Sequence, residues 1–351
     1  MRVLLTTPYD LAVPGGVNRH AFDLLDALTR RGIEVRLVGP SSSPQPDDNP
    51  QILHLGRVCV QAMNGAQSRV TLDLGIGAAM RRLMADFRPD VVHVQEPFLP
   101  TLNMFALWHA GAARRVGTFH TFSETSRGYL WAWPWCRWIN RRLDRRVAVS
   151  AAARDFATQF HPMEIAVVPN GLRLPEAKAR RGQRPLGRPV RVLFVGRGDE
   201  PRKGLCVLRD AMRRLDREVP GEFVLREIGA GTLGGAVSDA ERDTAYAESD
   251  VCVVPSLGGE SFGLVVLEAL AHGVPVVASR IRGYREWLEG AGVGELFSPG
   301  DATALAGALR AVVADEWRYV QFARAALKLA GGFAWENLAE RLVTTIYGRA
   351  R

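Results

Sequence analysis

The amino-acid sequence predicts an α/β protein with two domains, each built on a doubly wound parallel sheet. The chain has 351 residues, more than one hydrophobic core normally supports, which favours two domains. Short apolar runs rich in Val, Ile and Leu alternate with stretches of helical period, the order typical of parallel sheets covered by helices. This alternation pauses over residues 171–189, where Pro, Gly and Arg are frequent, and then restarts. We therefore predict domains at 1–171 and 172–333.

The first half of the chain supplies apolar runs that we interpret as buried strands. They are "RVLLTTP", "EVRLVGP", "VVHVQEP", "RRVGTFHT", "RRVAVS" and "IAVVPNG". The first helix is predicted in "GVNRHAFDLLDALTRRG", where the apolar residues form one stripe and a glycine ends the period. These residues are Val17, Ala21, Leu24, Leu25 and Leu28, with Gly32 at the end.

The second half repeats this order with "VRVLFVGRG", "FVLREIGAG", "DVCVVPS", "VPVVAS" and "GELFSPG". The final stretch, residues 334–351, is predicted to be helical. We interpret it as crossing back to the first domain, although periodicity does not decide this. Ligands of doubly wound sheets bind beyond the carboxyl ends of the strands, so two such domains imply a ligand cleft between them.

Composition excludes several classes of protein. Hydrophobic residues make up 47% and charged residues 23% of the chain, as in globular rather than disordered or fibrous proteins. The four cysteines are scattered without the spacing of a zinc site, and a reduced cytoplasmic compartment is the simplest interpretation. No apolar run approaches the length of a signal-peptide core or a membrane span. The formal net charge of +8 favours an anionic partner without identifying it.

Two glycine-bearing loops follow predicted strands and are candidates for binding phosphate. In "PYDLAVPGGVNRH", Gly15 and Gly16 come directly before a helix, where free backbone N–H groups and the helix dipole attract anions. A glycine-rich turn without a ligand explains this loop equally well. In "VGRGDEPRKGL", Arg197, Arg202 and Lys203 lie around a turn after a strand. Such cations can neutralise a diphosphate, and the alternative is a solvated turn before a helix.

The most specific segment is "GGESFGLVVLEALAHGVPVVAS", residues 258–279. Its carboxylates Glu260 and Glu268 are eight positions apart, and Glu268 lies about 1.5 turns into a predicted helix. We therefore expect the two carboxylates to contact different parts of one ligand. The amino end of the helix is expected to hold an anion, and the residues predicted to open it are Ser261, Phe262, Gly263 and Leu264.

This segment resembles the E-x7-E signature of the family 4 retaining glycosyltransferases, which have the GT-B fold of two Rossmann-like domains facing across a cleft. Within that family, the chain resembles the phosphatidylinositol mannosyltransferases of the PimA type. The matching motifs run nearly end to end. They are "PY...VPGGV" at 8–17, "EP..P.L" at 96–102, "GTFHT" at 117–121, "AVS" at 148–150, "VPNG" at 168–171, "GR.DEPRKG" at 196–204 and "GGESFG" at 258–263.

The resemblance implies how the nucleotide-sugar donor is bound. Gly16 would contact the donor diphosphate, and Arg197 and Lys203 would neutralise it as it leaves. Glu260 would hold hydroxyl groups of the sugar, and Glu268 would bind the ribose. The rest of the donor site would be the phosphate cradle, formed by Ser261 and by the backbone N–H groups of Phe262, Gly263 and Leu264.

The resemblance also implies roles for residues of the first domain. His120, at the end of a strand, would contact the sugar near the reacting carbon and join Arg197, Lys203 and Glu260 as a catalytic residue. Without the resemblance, a structural histidine is the simpler interpretation. Tyr9 and Asn18 would contact the polyol ring of the acceptor, although a tyrosine at a strand end often only packs. Arg69 would contact the acceptor phosphate and is the looser match.

The chain departs from the family pattern after "VLREIGAGTLGG". It reaches "ERDTAYAESDV" quickly, where such enzymes usually carry a longer segment with a further strand that shapes the base pocket. The second domain is therefore predicted to be shortened by roughly fifteen to twenty residues near 230–245, as judged from the resemblance. The contacts with diphosphate and ribose are expected to persist, and the choice between guanine and uracil stays open.

Four tryptophans, Trp131, Trp133, Trp135 and Trp138, precede four arginines within "TSRGYLWAWPWCRWINRRLDRRVAVS". Pro134 suits a helix start, after which Trp135, Trp138 and Ile139 are predicted to share one stripe. Trp and Arg together suit the headgroup region of a membrane. A second basic helix, "GIGAAMRRLMADF", carries Arg81 and Arg82. We predict membrane contact through Arg81, Arg82, Trp135 and Trp138; the alternative is that the tryptophans fill a domain core or line the cleft.

We therefore predict a hexosyltransferase that moves mannose from GDP-mannose to an inositol phospholipid with retention of configuration. The expected partners are the nucleotide sugar, the phospholipid and an anionic membrane surface at the inner face of the cell membrane. We expect a monomer without nucleic-acid binding, a tightly bound cofactor or a metal site, and dependence on a divalent metal stays open. One alternative is a UDP-hexose-dependent transferase acting on a diacylglycerol or a soluble polyol. Another is a non-catalytic basic module that binds membranes or nucleic acid.

Overall fold

The computed structural model describes residues 1–43, 48–63, 66–123, 133–160, 162–175 and 187–348. The chain divides into two compact units. The first unit contains Met1–Gly171 together with Trp335–Arg351, and the second unit contains Leu172–Ala334. Most of the predicted linker, residues 171–189, lies outside the described residues. Within the described ranges, the helices are too short or too polar to cross a membrane.

The first unit is built on a parallel sheet. Its strands are β1 (Arg2–Thr6), β2 (Glu34–Gly39), β3 (Ile52–His54), β6 (Val91–Gln95), β7 (Arg114–Phe119), β8 (Arg145–Ala148) and β9 (Ala166–Val167), and a separate antiparallel hairpin joins β4 (Val58–Met63) to β5 (Ala66–Thr71). In the part of the unit that the structure describes, the sheet has seven strands in the order β3-β2-β1-β6-β7-β8-β9. The apolar runs predicted as strands all pair in this sheet.

The second unit repeats the architecture. Its strands are β10 (Val190–Val195), β11 (Phe223–Ile228), β12 (Val251–Val254), β13 (Val276–Ser279) and β14 (Gly294–Phe297). Among the described residues they form a five-stranded parallel sheet in the order β11-β10-β12-β13-β14. Strands β12 and β13 are buried along their whole length, as expected for parallel strands covered on both faces. The predicted α/β fold of two doubly wound sheets is confirmed.

Helices occupy most of the connections between these strands. In the first unit they are α1 (Gly16–Arg30), α2 (Gly77–Phe87), α3 (Leu102–Trp108), α4 (Trp133–Arg142) and α5 (Ala151–Phe160). In the second unit they are α6 (Leu205–Glu218), α7 (Asp239–Glu248), α8 (Leu264–Ala271), α9 (Arg282–Leu288), α10 (Ala302–Ala314) and α11 (Glu316–Gly331). The chain ends with α12 (Trp335–Arg341) and a π-helical turn, Leu342–Tyr347.

Helix α1 buries the stripe predicted for it. Ala21, Leu24, Leu25 and Leu28 are buried, and Val17 at the first turn is half-buried. The helix ends at Arg30, and Gly32 then takes a φ of +74°, a conformation that costs glycine little. This leads the chain directly into β2. Because α1 begins where β1 has ended, its amino end lies at the carboxyl edge of the first sheet.

The last helix packs within the first unit. Trp335 of α12 is 1% exposed and joins the core that α1 forms with the sheet, together with Leu338 and Leu342. A Cβ on Gly171 would lie 2.3 Å from the Trp335 ring, so only glycine fits at the point where the first unit ends. The final segment is therefore part of the hydrophobic core of this unit.

Candidate functional site

The candidate site of the second unit is a cluster of charges at the carboxyl edge of the second sheet. The chain leaves β10 through a loop that ends in a 3-10 turn, Pro201–Lys203. Arg202 Nη1 and Lys203 Nζ each lie 2.6 Å from Glu260 Oε1. Gly204 closes the turn with a φ of +71°, and a Cβ there would lie 2.0 Å from the Pro255 carbonyl oxygen. The glycine lets the basic turn pack directly on the loop after β12.

Glu200 was not predicted from the sequence, and Arg202 was named there as a candidate phosphate-binding cation without a role in the family-based site. Glu200 forms ion pairs with Arg197 and with Arg202, the latter at 2.8 Å between Arg202 Nη2 and Glu200 Oε2. The predicted residues Arg197 and Lys203 therefore belong to one network, linked through Glu200, Arg202 and Glu260. Glu200 and Arg202 lie in the "DEPRKG" motif, and this motif was the available signal for them.

Glu260 is held ionised within the cluster. Burial acts to raise the pKa of its carboxyl group, but the charges of Lys203 and Arg202 outweigh burial and hold the pKa below its usual range. The carboxylate thus orients both cations in the absence of ligand. A diphosphate bound here would share the same two cations.

The backbone at the start of α8 supplies hydrogen-bond donors close to this cluster in sequence. The helix begins at Leu264 with Gly263 as its N-cap, so Ser261 and Phe262 lie in the preceding loop and do not open the helix as predicted. Among the described residues, the N–H groups of Phe262, Gly263 and Leu264 have no hydrogen-bond partner. Unpaired N–H groups at a helix start are suited to an anion.

Tight packing fixes the shape of this loop. Gly263 has a φ of +90°, and a Cβ on it would lie 2.5 Å from the Tyr284 ring. The Phe262 ring stacks on Trp287 at 5.2 Å between centroids, and the Trp287 indole N–H donates to the Phe262 carbonyl at 3.1 Å. The backbone N–H groups at the start of α8 are therefore held in position before any ligand binds.

Glu268 occupies a separate polar environment one turn further along α8. The Tyr246 hydroxyl donates to Glu268 Oε2 at 2.9 Å, and Arg242 Nε lies 3.7 Å from the same oxygen. Burial, followed by the charge of Glu268, raises the pKa of Tyr246 well above its usual value. Both partners come from α7 (Asp239–Glu248). Within the contacts described, Glu260 and Glu268 have different partners.

The candidate site residues of the first unit lie at the carboxyl edge of the first sheet, around His120. His120 follows β7, and its Nε2 lies 2.8 Å from Gln95 Oε1, at the end of β6. Its backbone N–H donates to Glu96 Oε1 at 2.7 Å. The His20 ring contacts the His120 ring edge to face, with 4.7 Å between centroids. Burial, followed by the nearby His20 and His93, lowers the pKa of His120 well below its usual value.

The predicted acceptor residues surround the loop after β1. Asn18 is 3% exposed, and its amide group donates to the carbonyls of Asp10 and Val13 and accepts from Thr7. In this structure Asn18 therefore holds the loop in place. Arg69 Nε lies 3.1 Å from Asp10 Oδ2, and the Arg69 side chain is half exposed.

Tyr9 and Gly16 lie at the two ends of this loop. Tyr9 is half-buried and forms a β-bridge with Val70. Burial, followed by the charge of Glu96, raises the pKa of its hydroxyl above the usual value. Gly16 is the exposed first residue of α1. The structure thus brings Tyr9, together with Gly16 and Asn18 of α1 and Arg69 of β5, to one edge of the first sheet.

The basic and aromatic residues predicted to contact membrane lie on α2 and α4. Trp138 stacks on Trp135 and on Trp108, with centroids 5.3 Å and 5.7 Å apart, and the Arg142 guanidinium lies 3.8 Å from the Trp138 centroid. We call Trp108, Trp135, Trp138 and Arg142 the tryptophan stack. Arg81 and Arg82 are exposed on α2, and α3 packs against both α2 and α4.

The stripe predicted for α4 differs from the structure. Ile139 is fully buried together with Cys136, whereas Trp135 and Trp138 are half-buried beside them. The Trp135 indole N–H donates to the Phe98 carbonyl at 3.0 Å. Trp131 lies outside the described residues, as does the side chain of Trp133. Sequence reasoning also missed Trp108, 60% exposed, because it belongs to a different helix from the other tryptophans.

Two doubly wound parallel-sheet units define the fold class of this chain as GT-B. Solved structures agree on the fold. The chain aligns with sucrose-phosphate synthase from Thermosynechococcus elongatus over 97% of both chains, at 21% identity and a TM-score of 0.75. It aligns with Anabaena HepE, solved in complex with UDP, over 99% of this chain and 100% of that one, at 17% identity and a TM-score of 0.75.

Sequence comparison identifies the family. A model described as Glycosyltransferase Family 4 matches residues 14–175, and one described as Glycosyl transferases group 1 matches residues 189–315. The phosphatidyl-myo-inositol mannosyltransferase of Mycobacterium leprae is 32% identical over 98% of this chain and 96% of its own length. The protein of that name from Propionibacterium freudenreichii is 31% identical over 98% and 94%. The chain belongs to glycosyltransferase family 4, and its prediction as a hexosyltransferase is confirmed.

Proposed function

We propose that this enzyme transfers mannose from GDP-mannose to an inositol phospholipid, with retention of the anomeric configuration. Relatives that match nearly the whole chain are named phosphatidyl-myo-inositol mannosyltransferases, which supports both the sugar and the acceptor. The observation that carries the proposal is the cation cluster on Glu260, close in sequence to the unpaired N–H groups of Phe262, Gly263 and Leu264. This combination suits a donor that leaves as a diphosphate.

The second unit binds the donor in this proposal. Arg197 and Lys203 contact the diphosphate, and Arg202 orients Glu260 against it. Glu260 holds hydroxyl groups of the sugar, while Glu268, one turn into α8, binds the ribose. Gly16 of the first unit adds a backbone contact to the diphosphate. The short connection from β11 to α7, residues 229–238, offers little chain to enclose a base, so discrimination between GDP and UDP is tested directly below.

The transfer step needs no protein nucleophile. The bond between the anomeric carbon and the diphosphate oxygen breaks, the acceptor oxygen bonds to that carbon from the same face, and the acceptor proton passes to the departing oxygen. Negative charge grows on the diphosphate as the bond breaks. Arg197, Lys203 and the N–H groups at the start of α8 stabilise that charge in place, because their positions are fixed by packing before reaction.

The first unit supplies the acceptor contacts. We assign Tyr9 and Asn18 to the inositol ring and Arg69 to the phosphate of the lipid, with His120 assigned to the transferred sugar. Asn18 is already committed to the loop after β1, so its contact with the inositol requires that loop to rearrange. Arg69, half exposed beside Asp10, has a free side of its guanidinium group for a phosphate.

The enzyme docks on the anionic inner face of the cell membrane in this proposal. The exposed Arg81 and Arg82 lie on a helix that α3 connects to the tryptophan stack, so charge and indole rings occupy neighbouring elements of one unit. Arginines near an anionic surface attract it, and indoles suit the headgroup region. The packed Trp135 ring contributes less than the exposed Trp108 ring, since Trp135 already donates to Phe98.

The proposal is tested by product identification. The purified protein is incubated with labelled GDP-mannose, UDP-glucose or UDP-galactose and with vesicles containing phosphatidylinositol, diacylglycerol or neither, and the lipid products are identified by mass spectrometry. We expect a mannosylated phosphatidylinositol from GDP-mannose alone. A hexosylated diacylglycerol from a UDP-sugar contradicts the proposal and supports the alternative donor and acceptor.

A variant series shows whether the product depends on the donor site. Lys203→Met removes a cation of the cluster, and Lys328→Met is its matched control, because Lys328 is exposed on α11 of the same unit. The rate of product formation must fall on the order of 10²-fold with Lys203→Met and stay near that of the wild type with Lys328→Met. Equal activity of the two variants excludes this cluster as the donor site.

A further inference from the structure

Two side chains outside the predicted site contact the His120 ring from different directions. Gln95 is the last residue of β6 and is fully buried. His20 lies in the second turn of α1 and is 5% exposed. Neither residue is given a role by the motifs or by the proposed reaction. Both come from elements that end or begin at the carboxyl edge of the first sheet, where His120 also lies.

Gln95 determines which ring nitrogen of His120 carries the proton. The Gln95 carboxamide oxygen lies 2.8 Å from His120 Nε2, and an amide oxygen can only accept a hydrogen bond. With the carboxamide in this orientation, His120 Nε2 is the protonated nitrogen and Nδ1 carries the lone pair. Among the described residues, Nδ1 has no hydrogen-bond partner. This nitrogen is consequently available to accept a hydrogen bond from a hydroxyl group.

His20 and Glu96 restrict the orientation of His120. The Glu96 carboxylate accepts from the His120 backbone N–H at 2.7 Å and from Thr121 Oγ1 at 2.9 Å, which fixes the main chain. The His20 ring meets the His120 ring at an interplanar angle of 81°. His20 is itself held by Asn170, whose Oδ1 lies 2.9 Å from His20 Nδ1, and by the Trp335 ring at 5.0 Å.

The electrostatic surroundings keep these imidazoles neutral. Burial lowers the pKa of His20 to about 4, although its hydrogen bond with Asn170 acts in the opposite direction. Burial and the charge of His20 lower the pKa of His93 to about 3. The two ring nitrogens of His93 form hydrogen bonds within the core, with Thr118 and Tyr347. His120 is therefore neutral across neutral pH, and its hydrogen bond with Gln95 selects one of the two neutral tautomers.

We propose that Gln95 and His20 are positioning residues for the transfer reaction: they hold His120 as its Nε2–H tautomer in one orientation, with Nδ1 turned to a sugar hydroxyl. The inference rests on the proposed function, which gives His120 a sugar to contact. A purely structural role for Gln95 and His20 is the competing explanation. The two explanations differ in what they predict for the tautomer of His120 and for the turnover of variants at Gln95 and His20.

Nitrogen-15 NMR of histidine tests the tautomer without substrate. The seven histidines are labelled, and the His120 signals are assigned by their loss in His120→Gln. We expect the wild-type protein to show His120 as the Nε2–H tautomer, without titration between pH 6 and 8. An Nδ1–H tautomer, or a His120 that titrates in this range, overturns the proposal whatever the activity of the Gln95 and His20 variants.

Kinetics with two Gln95 variants separates positioning from structure. Gln95→Met removes the acceptor while keeping side-chain length, whereas Gln95→Glu keeps an acceptor for Nε2–H. We expect Gln95→Met to lower kcat on the order of 10²-fold, the loss associated with a misplaced reacting group, with the KM for the donor nearly unchanged. Gln95→Glu is expected to retain more activity than Gln95→Met. Gln61→Glu, the same change at an exposed glutamine of β4, is expected to behave as wild type.

A structural role predicts the opposite order for the two variants. A buried carboxylate destabilises the fold more than an isosteric methionine does, so Gln95→Glu would then be the less active variant. His20→Phe, which keeps a ring against His120, is likewise expected to be more active than His20→Ala. If either order is reversed, the proposal is wrong. If no nucleotide sugar supports transfer at all, the proposed function fails while the spectra still decide the tautomer.

Discussion

Replacing Lys203 with methionine tests the leaving-group role of the second unit most directly. Lys203 Nζ and Arg202 Nη1 each lie 2.6 Å from Glu260 Oε1. Together with Arg197 and Glu200, they form a cluster of three cations and two carboxylates, whose net charge is +1. Lys203→Met lowers this charge to zero and keeps the length of the side chain. The diphosphate then loses one of its compensating charges.

The size of the effect follows from the charge that develops during reaction. Two unit charges about 4 Å apart interact by about 4 kcal/mol at the effective dielectric constant of about 20 found near a protein surface. Only the charge that grows between the bound donor and the transition state affects kcat. Removal of one group that stabilises such a charge costs about 2.7–4 kcal/mol, or 10² to 10³ in rate. We expect a value toward 10², because Arg202 remains on the same Glu260 oxygen.

The assay measures kcat at saturating donor, with Lys328→Met as the control and calorimetry of nucleoside diphosphate binding as a check on affinity. Arg197→Ala is expected to lower kcat within about the same range of 10² to 10³, since it carries the other charge assigned to the diphosphate. A turnover near that of the wild type in either variant at saturating donor refutes the reasoning. A loss confined to KM would also refute it, because uniform binding leaves kcat unchanged.

The remaining predictions concern the carboxylates and the membrane. Glu268→Ala should chiefly weaken donor binding, because Glu268 is assigned to the ribose, and Glu260→Ala should lower kcat more, because Glu260 is assigned to the transferred sugar. Equal losses of nucleotide affinity in the two variants, measured by calorimetry, contradict this. The pKa of Glu260 lies below its usual range, so its ionised form stabilises the fold above about pH 4.3. This stabilisation is lost as the pH falls through the lowered pKa. Glu260→Gln should therefore remove this contribution to the pH dependence of the free energy of unfolding, as measured by acid unfolding curves. The double variant Arg81→Ser/Arg82→Ser should weaken vesicle binding mostly at low salt, whereas Trp135→Ala/Trp138→Ala should weaken it at every salt concentration. Membrane docking is refuted if the wild-type protein co-sediments no more with anionic than with neutral vesicles and if its tryptophan fluorescence responds to neither.

The order of strands and helices was readable from the sequence because it depends on local periodicity. A buried parallel strand is recognised by a short run of apolar residues, and helix α1 by apolar residues that recur with the period of a helix. Each pattern can be recognised within a short stretch of sequence. The positions of Arg197, His120 and Glu260 after strands were also readable, since all three follow predicted strands. The start of α8 was misplaced by a few residues, because Gly263 takes a φ of +90° to fit against Tyr284, which is distant in sequence.

The sequence by itself determined the fold class, the family and the loops that carry the charged residues, because those features are local or are carried by motifs. Only the tertiary structure decided which side chains meet. Gln95 contacts His120 because β6 and β7 are adjacent in the sheet, and Arg202 and Lys203 share Glu260 because β10 and β12 are adjacent. Trp108 joins Trp138 because α3 packs on α4. Hydrogen bonds, ion pairs and ring contacts act over a few ångströms, and residues tens of positions apart in sequence reach that range only once the chain has folded.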